Sequence, residues 1–515
     1  MKKFKKVMAA ALAVTMMVGL AGCKSEKNGG DKAVLEWWYY GNGNQLDTQM
    51  IQTKVNELLA AKPGYENTEI HLNSFNSDYP NQVTLGMAAG KQMDILNTYR
   101  LNYPELIENG TLIDITELLD KTPELKSTLP DWLWEMVTCE GGIHLVPNYQ
   151  KATNVCFFVT PAKYIEGYEK RQEFEEIVKH EDEHSLRELA SALEDYLLYV
   201  RSKNGDTKYL NGFASMIDSE VTFSRFFSKL SGNFVIYNDE DQVSHRLTND
   251  RMKEAYAISA EWYKKGYVPQ DILTAANTDT YKAQNMTNPI SIIAVGGNSI
   301  GDSERVSKAL STSYGFDVVA IPINEGKHFI PNSWNAGGHG ITPMCQDPEA
   351  ALKFLELIYT PEGKEIYNTL VYGIEGKHYE KIGDDLIKTL EYDSTQGGVS
   401  TSYAAMKWNM GNAFMAYDNQ GCTEDEKKLS LELNESKDNI LSEYIGFYPK
   451  FKEIEDELGQ IEAIDTEYKE TLLSGVKGDD WEQYYKEYEN KLKLASYDKI
   501  VENLQKQADE FKKSK

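Results

Sequence analysis

Two short motifs carry reactive residue types at a meaningful spacing. His180-Glu181-Asp182-Glu183-His184 matches H-E-x-x-H, in which two histidines one helical turn apart hold zinc and the glutamate serves as general base. Ser185-Leu186-Arg187-Glu188 follows directly and reads as a capping box ahead of the apolar series Leu189, Leu193 and Leu197. The helix therefore starts at Ser185, His184 lies outside it, and the densely charged run is a poor place for a dry zinc site. A solvated segment is the expectation, and no metal is assigned. The second motif is Leu20-Ala21-Gly22-Cys23, which closes an apolar run from Val7 to Leu20 preceded by Lys2, Lys3, Lys5 and Lys6. That is the pattern of a lipoprotein signal, cut before Cys23 so that its thiol carries the lipid. The phosphate-binding G-x-x-x-x-G-K-[ST] loop is missing.

Aromatic and amide side chains coincide in Trp37-Trp38-Tyr39-Tyr40-Gly41-Asn42, Thr98-Tyr99-Arg100, Asn148-Tyr149-Gln150, Trp334-Asn335 and Trp408-Asn409. Sugars need this mixture, because a ring covers the C–H face of a pyranose and planar polar groups bond adjacent hydroxyls. With 32 Tyr, 17 Phe and 8 Trp, most rings must fill cores. Strand alternation sends Trp37 and Trp38 to opposite faces, so Tyr40 and Asn42, at the strand end, are favoured as contacts. The candidates are Tyr40, Asn42, Tyr99, Asn148, Tyr149, Trp334, Asn335, Trp408 and Asn409, with Asn298 beyond the strand Ile290–Val295.

The elements that must position these residues alternate. Strands are expected at Val34–Tyr40, around Ile70 and Leu72, and at Met93–Leu96, Val155–Val159, Asn233–Tyr237, Ile290–Val295 and Phe316–Ile321. Helices are expected at about Tyr79–Ala89, at Asp250–Lys264 and at Pro348–Tyr359. This is an α/β chain, and two doubly wound lobes fit it better than one sheet. From Gly446 the apolar residues fall at helical spacing, giving a helical C-terminal module packed on the lobes through narrow faces. The 515 residues carry a net charge of −26, and removing residues 1–22, with four lysines and no acid, takes it to −30. Such a surface repels nucleic acid and anionic lipid, leaving the anchor as the expected membrane contact. Cys139, Cys156, Cys345 and Cys422 are scattered with no C-x-x-C pair, so both disulfides and buried thiols are open.

Taken together, the chain resembles the family 1 extracellular solute-binding proteins of ABC importers, and within them the Gram-positive lipoproteins labelled aldouronate or oligosaccharide-type receptors. The matching residues are Gly141-Gly142-Ile143-His144-Leu145-Val146-Pro147-Asn148-Tyr149, Leu370-Val371-Tyr372-Gly373-Ile374-Glu375-Gly376-Lys377-His378-Tyr379 and Trp408-Asn409-Met410-Gly411-Asn412, together with the module from Gly446. The chain departs from the family's pattern at His144, Leu145 and Gln150. The resemblance implies a periplasmic-binding-protein-like fold of type II, two lobes on a hinge, with crossovers at Pro147–Asn154, near Ile323–Pro331 and after about Tyr367. Segments 33–150 and 331–367 then form lobe 1, 151–330 and 368–445 lobe 2, and 446–515 the module, behind a signal peptide (1–22) and a tether (23–32). It further implies that Asn42, Tyr99, Asn148, Tyr149, Trp334 and Trp408 face the cleft of a monomeric, cofactor-free receptor. That receptor is anchored on the outer face of the membrane and delivers a solute, an oligosaccharide, to permease subunits without making or breaking a bond. The alternatives are an exported carbohydrate-active hydrolase and a binding lipoprotein that feeds a sensor kinase.

Overall fold

The computed structural model describes residues 32–152, 155–218, 227–237, 241–275, 291–295, 303–323, 325–326, 329–330, 332, 337–390, 392–393, 399–400, 402–420 and 426–515. Cys23, Asn298, Trp334, Asn335 and Cys422 lie outside the described residues.

The chain opens with β1 (Ala33–Tyr40), in which Leu35, Trp37 and Tyr39 are buried on one face and Trp38 on the other. A strand covered on both faces belongs in the middle of a sheet. α1 (Thr48–Ala60), β2 (Thr68–Phe75), α2 (Tyr79–Ala88), β3 (Ile95–Asn97), α3 (Tyr103–Glu108) and β4 (Val146–Pro147) follow. The chain then enters the second lobe with β5 (Val155–Pro161), α4 (Arg171–Lys179) and α5 (Leu186–Asn204). Next come β6 (Phe227–Ser231), β7 (Phe234–Tyr237), β8 (Val243–His245), α6 (Asp250–Lys264), β9 (Ser291–Val295), α7 (Ser303–Tyr314) and β10 (Val318–Pro322). β11 (Phe329–Ile330) leads back to β12 (Gly338–Ile341), α8 (Pro348–Tyr359) and α9 (Lys364–Tyr372). α10 (Glu426–Asn434), β13 (Ile440–Leu441), α11 (Glu455–Ser474), α12 (Trp481–Leu494) and α13 (Tyr497–Ser514) complete it.

In the first lobe the sheet order is β2-β1-β3-β12-β4; β1 is parallel to β2 and β3, and β12 is antiparallel to β3 and β4. The two-lobed α/β architecture holds, but the second lobe is not wound as expected. β9 and β10 both run antiparallel to β5, which lies between them, and β6, β7 and β8 form an antiparallel meander. β9 and β10 are therefore parallel to each other with α7 as their crossover, and β5, arriving from the first lobe, enters reversed. Alternating strands and helices reveal the crossover but not the direction of an inserted strand.

The cores correct the expected boundaries. Leu370, Val371, Tyr403, Met410, Met415 and Ala416 lie in the core of the first lobe, although the sequence assigned 368–445 to the second. The last crossover therefore falls between Ala416 and Tyr444, where the other core resumes. The C-terminal helices share that second core through Ile461, Tyr468, Leu472, Tyr485, Tyr488 and Leu504. Their seam with the second lobe is close: a Cβ at Gly212 would meet the carbonyl of Leu473 at 2.2 Å, and Ser259 accepts from the amide of Ala214 and donates to the same carbonyl. Gly475 ends α11 with φ 73°, a left-handed cap suited to glycine, pressed against Ser259.

The capping box at Ser185 and Glu188 forms as read. His180 closes α4, Glu181–Glu183 form a short 3-10 turn and His184 is extended. Glu181 is buried and pairs with Arg251, and no group of three or more His, Cys, Asp or Glu among the described residues is placed to hold a metal. Cys139 and Cys345 are buried thiols. No helix among the described residues is long and apolar enough to cross a membrane.

Candidate ligand-binding cleft

Parallel strands bring their carboxyl ends to one edge of the sheet, and there the first lobe gathers its half-exposed rings. Tyr40 ends β1 and Tyr99 follows β3, with ring centroids 5.0 Å apart. Trp408 meets Tyr99 edge-on at 4.8 Å, and the Arg100 guanidinium lies 5.5 Å from the Tyr40 ring. Arg100 holds φ 65°, a left-handed conformation that costs a side-chain residue about 1 kcal/mol and that recurs where a site dictates the turn.

Beneath the rings lies a closed layer of amides. Asn97, Asn148 and Asn409 are each wholly buried. Asn409 donates through Nδ2 to the Tyr40 carbonyl at 2.9 Å and to Asn97 Oδ1 at 3.2 Å, while its own Oδ1 accepts from Asn97 at 3.0 Å and from Asn148 at 2.9 Å. The amide of Tyr99 donates to Asn97 Oδ1, and that of Gly411 to Asn148 Oδ1. Three distant chain segments are thus locked together directly under Tyr40, Tyr99 and Trp408. His339 of β12 completes the layer, 3.4 Å from Asn97; burial pushes its imidazole down to about 3, so it is neutral.

Expected as ligand contacts, Asn148 and Asn409 instead present no surface, because each spends its amide on the layer. Tyr149 is likewise buried, 2 % exposed, its ring 4.9 Å edge-on to Phe414 and its backbone paired with Gly411 and Ala413. Asn42 is exposed and donates to the Ala404 carbonyl at 2.9 Å. Trp37 is fully buried, in keeping with the preference for Tyr40. Sequence reasoning missed Asn97 and His339, and it noted Arg100 beside Tyr99 without making it a candidate. Asn97 had a signal: an asparagine directly after Ile95-Leu96 in a short strand is a polar group that the sheet must satisfy internally.

The most specific stretch of the resemblance acts as a brace. His378 accepts the Ile374 amide through Nδ1, so its proton sits on Nε2, 3.1 Å from Asp47 Oδ2. The Lys377 ammonium, 3.0 Å from the same oxygen, holds the Asp47 carboxyl below the usual carboxylate range. Gln45 exchanges two hydrogen bonds with Ala404. The loop from Asn42 to Asp47 is thereby stapled to Lys377, His378 and Ala404, all of which precede Trp408 in the chain.

A cavity of about 370 Å³ opens beside Tyr99 and Arg100, bounded across from them by Lys229 and Leu230 of the second lobe and by Phe447 and Tyr448. The segments joining the lobes are gripped by two buried asparagines. Asn434 donates to the Gln150 carbonyl at 2.8 Å and accepts from Ala152 at 2.9 Å, and Asn332 pairs in the same two-handed way with the backbone of Lys229. β11 and β13 also pair in parallel.

Comparison with known proteins extends these findings. A family described as "Domain of unknown function (DUF3502)" matches residues 443–513, the C-terminal module. A carbohydrate ABC transporter substrate-binding protein of Streptococcus pneumoniae serotype 4 is 26% identical, with 100% of both chains covered. The N-glycan transport solute binding protein NgtS of Streptococcus pneumoniae superposes with TM-score 0.70 at 22% identity, over 94% of this chain and 99% of that one; it is also known in complex with Man1GlcNAc and with Man5GlcNAc. An extracellular solute-binding protein of Bifidobacterium longum subsp. infantis matches with TM-score 0.58 and 16% identity, over 93% and 98%. The fold is that of extracellular solute-binding proteins, and the resemblance drawn from the sequence holds along the chain.

Proposed function

We propose that this chain is the substrate-binding protein of an ABC importer, capturing an oligosaccharide between its two lobes and passing it to permease subunits. The observation that carries the reading is the ledge of Tyr40, Tyr99 and Trp408 at the carboxyl edge of the first sheet, half-exposed above amides that are already satisfied. Rings held in this way offer flat apolar faces to pyranose C–H surfaces without first reorganising, so little ordering free energy is spent on binding. The full-length likeness to a carbohydrate substrate-binding protein supports the same reading.

In this reading Tyr40, Asn42, Tyr99, Trp408 and Arg100 contact the sugar from the first lobe, and Asn298, Trp334 and Asn335 are assigned to it from the sequence. Asn148, Tyr149 and Asn409 hold that wall in shape. A ligand that touches both lobes binds the closed arrangement more tightly and shifts the population towards it. Cys23 carries the lipid that keeps the protein at the outer face of the membrane, and no bond in the solute is made or broken.

A thermal-shift screen against oligosaccharides, with peptides and amino acids as the contrasting set, tests the reading, since a ligand of the native state alone raises the melting temperature. A rise with one glycan class and no products by chromatography is expected. A shift with peptides only would remove the sugar assignment, and cleavage of a glycan would replace the receptor by an enzyme.

A further inference from the structure

The cleft beside Tyr99 does not end there. A second cavity, of about 1950 Å³, shares Asn102, Pro104, Lys229, Tyr448 and Phe451 with it, so the two adjoin along a common wall. The larger one runs between α3 and residues 138–141 of the first lobe and the helices α11 and α13. The half-exposed rings of Tyr448, Phe451 and Phe511 and the amides of Asn233, Asn503 and Gln507 line it. Eight acidic and six basic side chains share its walls, so the two signs nearly balance.

One position on its wall lacks an explanation within the protein. Gly459 sits in the first half of α11, where glycine costs about 1 kcal/mol relative to alanine. Its φ is not positive, and a Cβ added there would meet nothing within 4 Å. Neither backbone geometry nor packing calls for glycine, yet its bare backbone faces the cavity. Sites for compact ligands enclose roughly 300–1,000 Å³, so the space beside Tyr99 suits a short solute and the groove adds room for a long one.

We propose that this groove is a second arm of the binding site, taking the distal units of an extended or branched, uncharged oligosaccharide, with Gly459 keeping the helix wall low enough for them to lie against it. The proposal rests on the carbohydrate reading above. Calorimetric titration of the full chain and of Gly459→Trp tests it, using short and long members of three series: Man1GlcNAc and Man5GlcNAc, maltose and maltoheptaose, xylobiose and xylohexaose. In the series that binds, Gly459→Trp should weaken the long member at least tenfold and leave the short one unchanged. Asn109→Trp, on the opposite wall, should do the same, which guards against misfolding of the first variant, and Gly459→Ala should raise the melting temperature. Equal effects on both lengths, or none, would overturn the arm and leave the receptor standing. Binding by no member of any series would overturn the carbohydrate reading and the arm with it.

Discussion

At the edge of the first sheet, Tyr40, Tyr99 and Trp408 touch ring to ring and remain half-exposed, whereas in the C-terminal helices Tyr468, Tyr485 and Tyr488 make a similar cluster that is buried throughout. What separates them is the layer below. The first set rests on three asparagines that satisfy one another, so no apolar space remains for the rings to enter. The second set rests on Ile461, Leu472, Leu492 and Leu504, with one carboxylate among them. That carboxylate, Asp465, accepts from Tyr488 at 2.5 Å and from Asn233 at 2.6 Å and lies 3.1 Å from His245. Burial alone would push it up, and these partners outweigh burial and hold it below the usual range. An aromatic residue stays available to a ligand when the protein beneath it is polar and complete, and becomes core when it is apolar and open.

The contrast can be broken at four points. Tyr488→Ala should cost about 4 kcal/mol and lower the urea midpoint of the second lobe and module together, because it empties a shared core; separate transitions would deny that the module is fused to that lobe. Asn409→Leu strips partners from Asn97, Asn148 and the Tyr40 carbonyl and should cost about 2–3 kcal/mol while also weakening glycan binding; a fully stable variant would show that the amide layer braces nothing. Acid should act through His339. Its folded pKa, about 3, lies below the usual histidine value, so the unfolded chain takes up a proton that the fold refuses. The contribution is fully present above pH 6.5, amounts to about 1.5 kcal/mol of loss by pH 5.5, and grows towards pH 3. His339→Gln should flatten that part of the melting-temperature profile relative to the parent, and an unchanged slope would refute it. The smallest stability effect is expected from Trp408→Ala, under about 1 kcal/mol. The same change should lower glycan affinity at least tenfold, and unchanged affinity by calorimetry would remove Trp408 from the ledge.

Much of the scaffold was legible. α6 and α8 span the expected residues, and the capping box at Ser185 marks where α5 begins, because local propensity and tertiary packing agree there. The direction of β5 was not legible, since apolar alternation is the same either way up the sheet. Nor was the boundary after Tyr367: Tyr403, Met410 and Met415 return to the first core across a long excursion that no local pattern announces. For the site, adjacency of rings and amides picked out segments that the fold brings together, but the amides of Asn148 and Asn409 are spent within the protein. Asn409 adjoins the ledge in sequence through Trp408 and supports it in space, whereas Asn148 joins that layer only in space. Only the burial of Asn97, at the end of an apolar strand, hinted at this.

The two buried asparagines on the crossovers bear on movement rather than affinity. Asn434 ties the first crossover to the third, β11 and β13 tie the third to the second, and Asn332 ties the second to β6. Linked in series, the three crossovers brace one another, so bending any one of them strains its neighbours. In the proposed receptor, any relative movement of the lobes therefore passes through all three crossovers together.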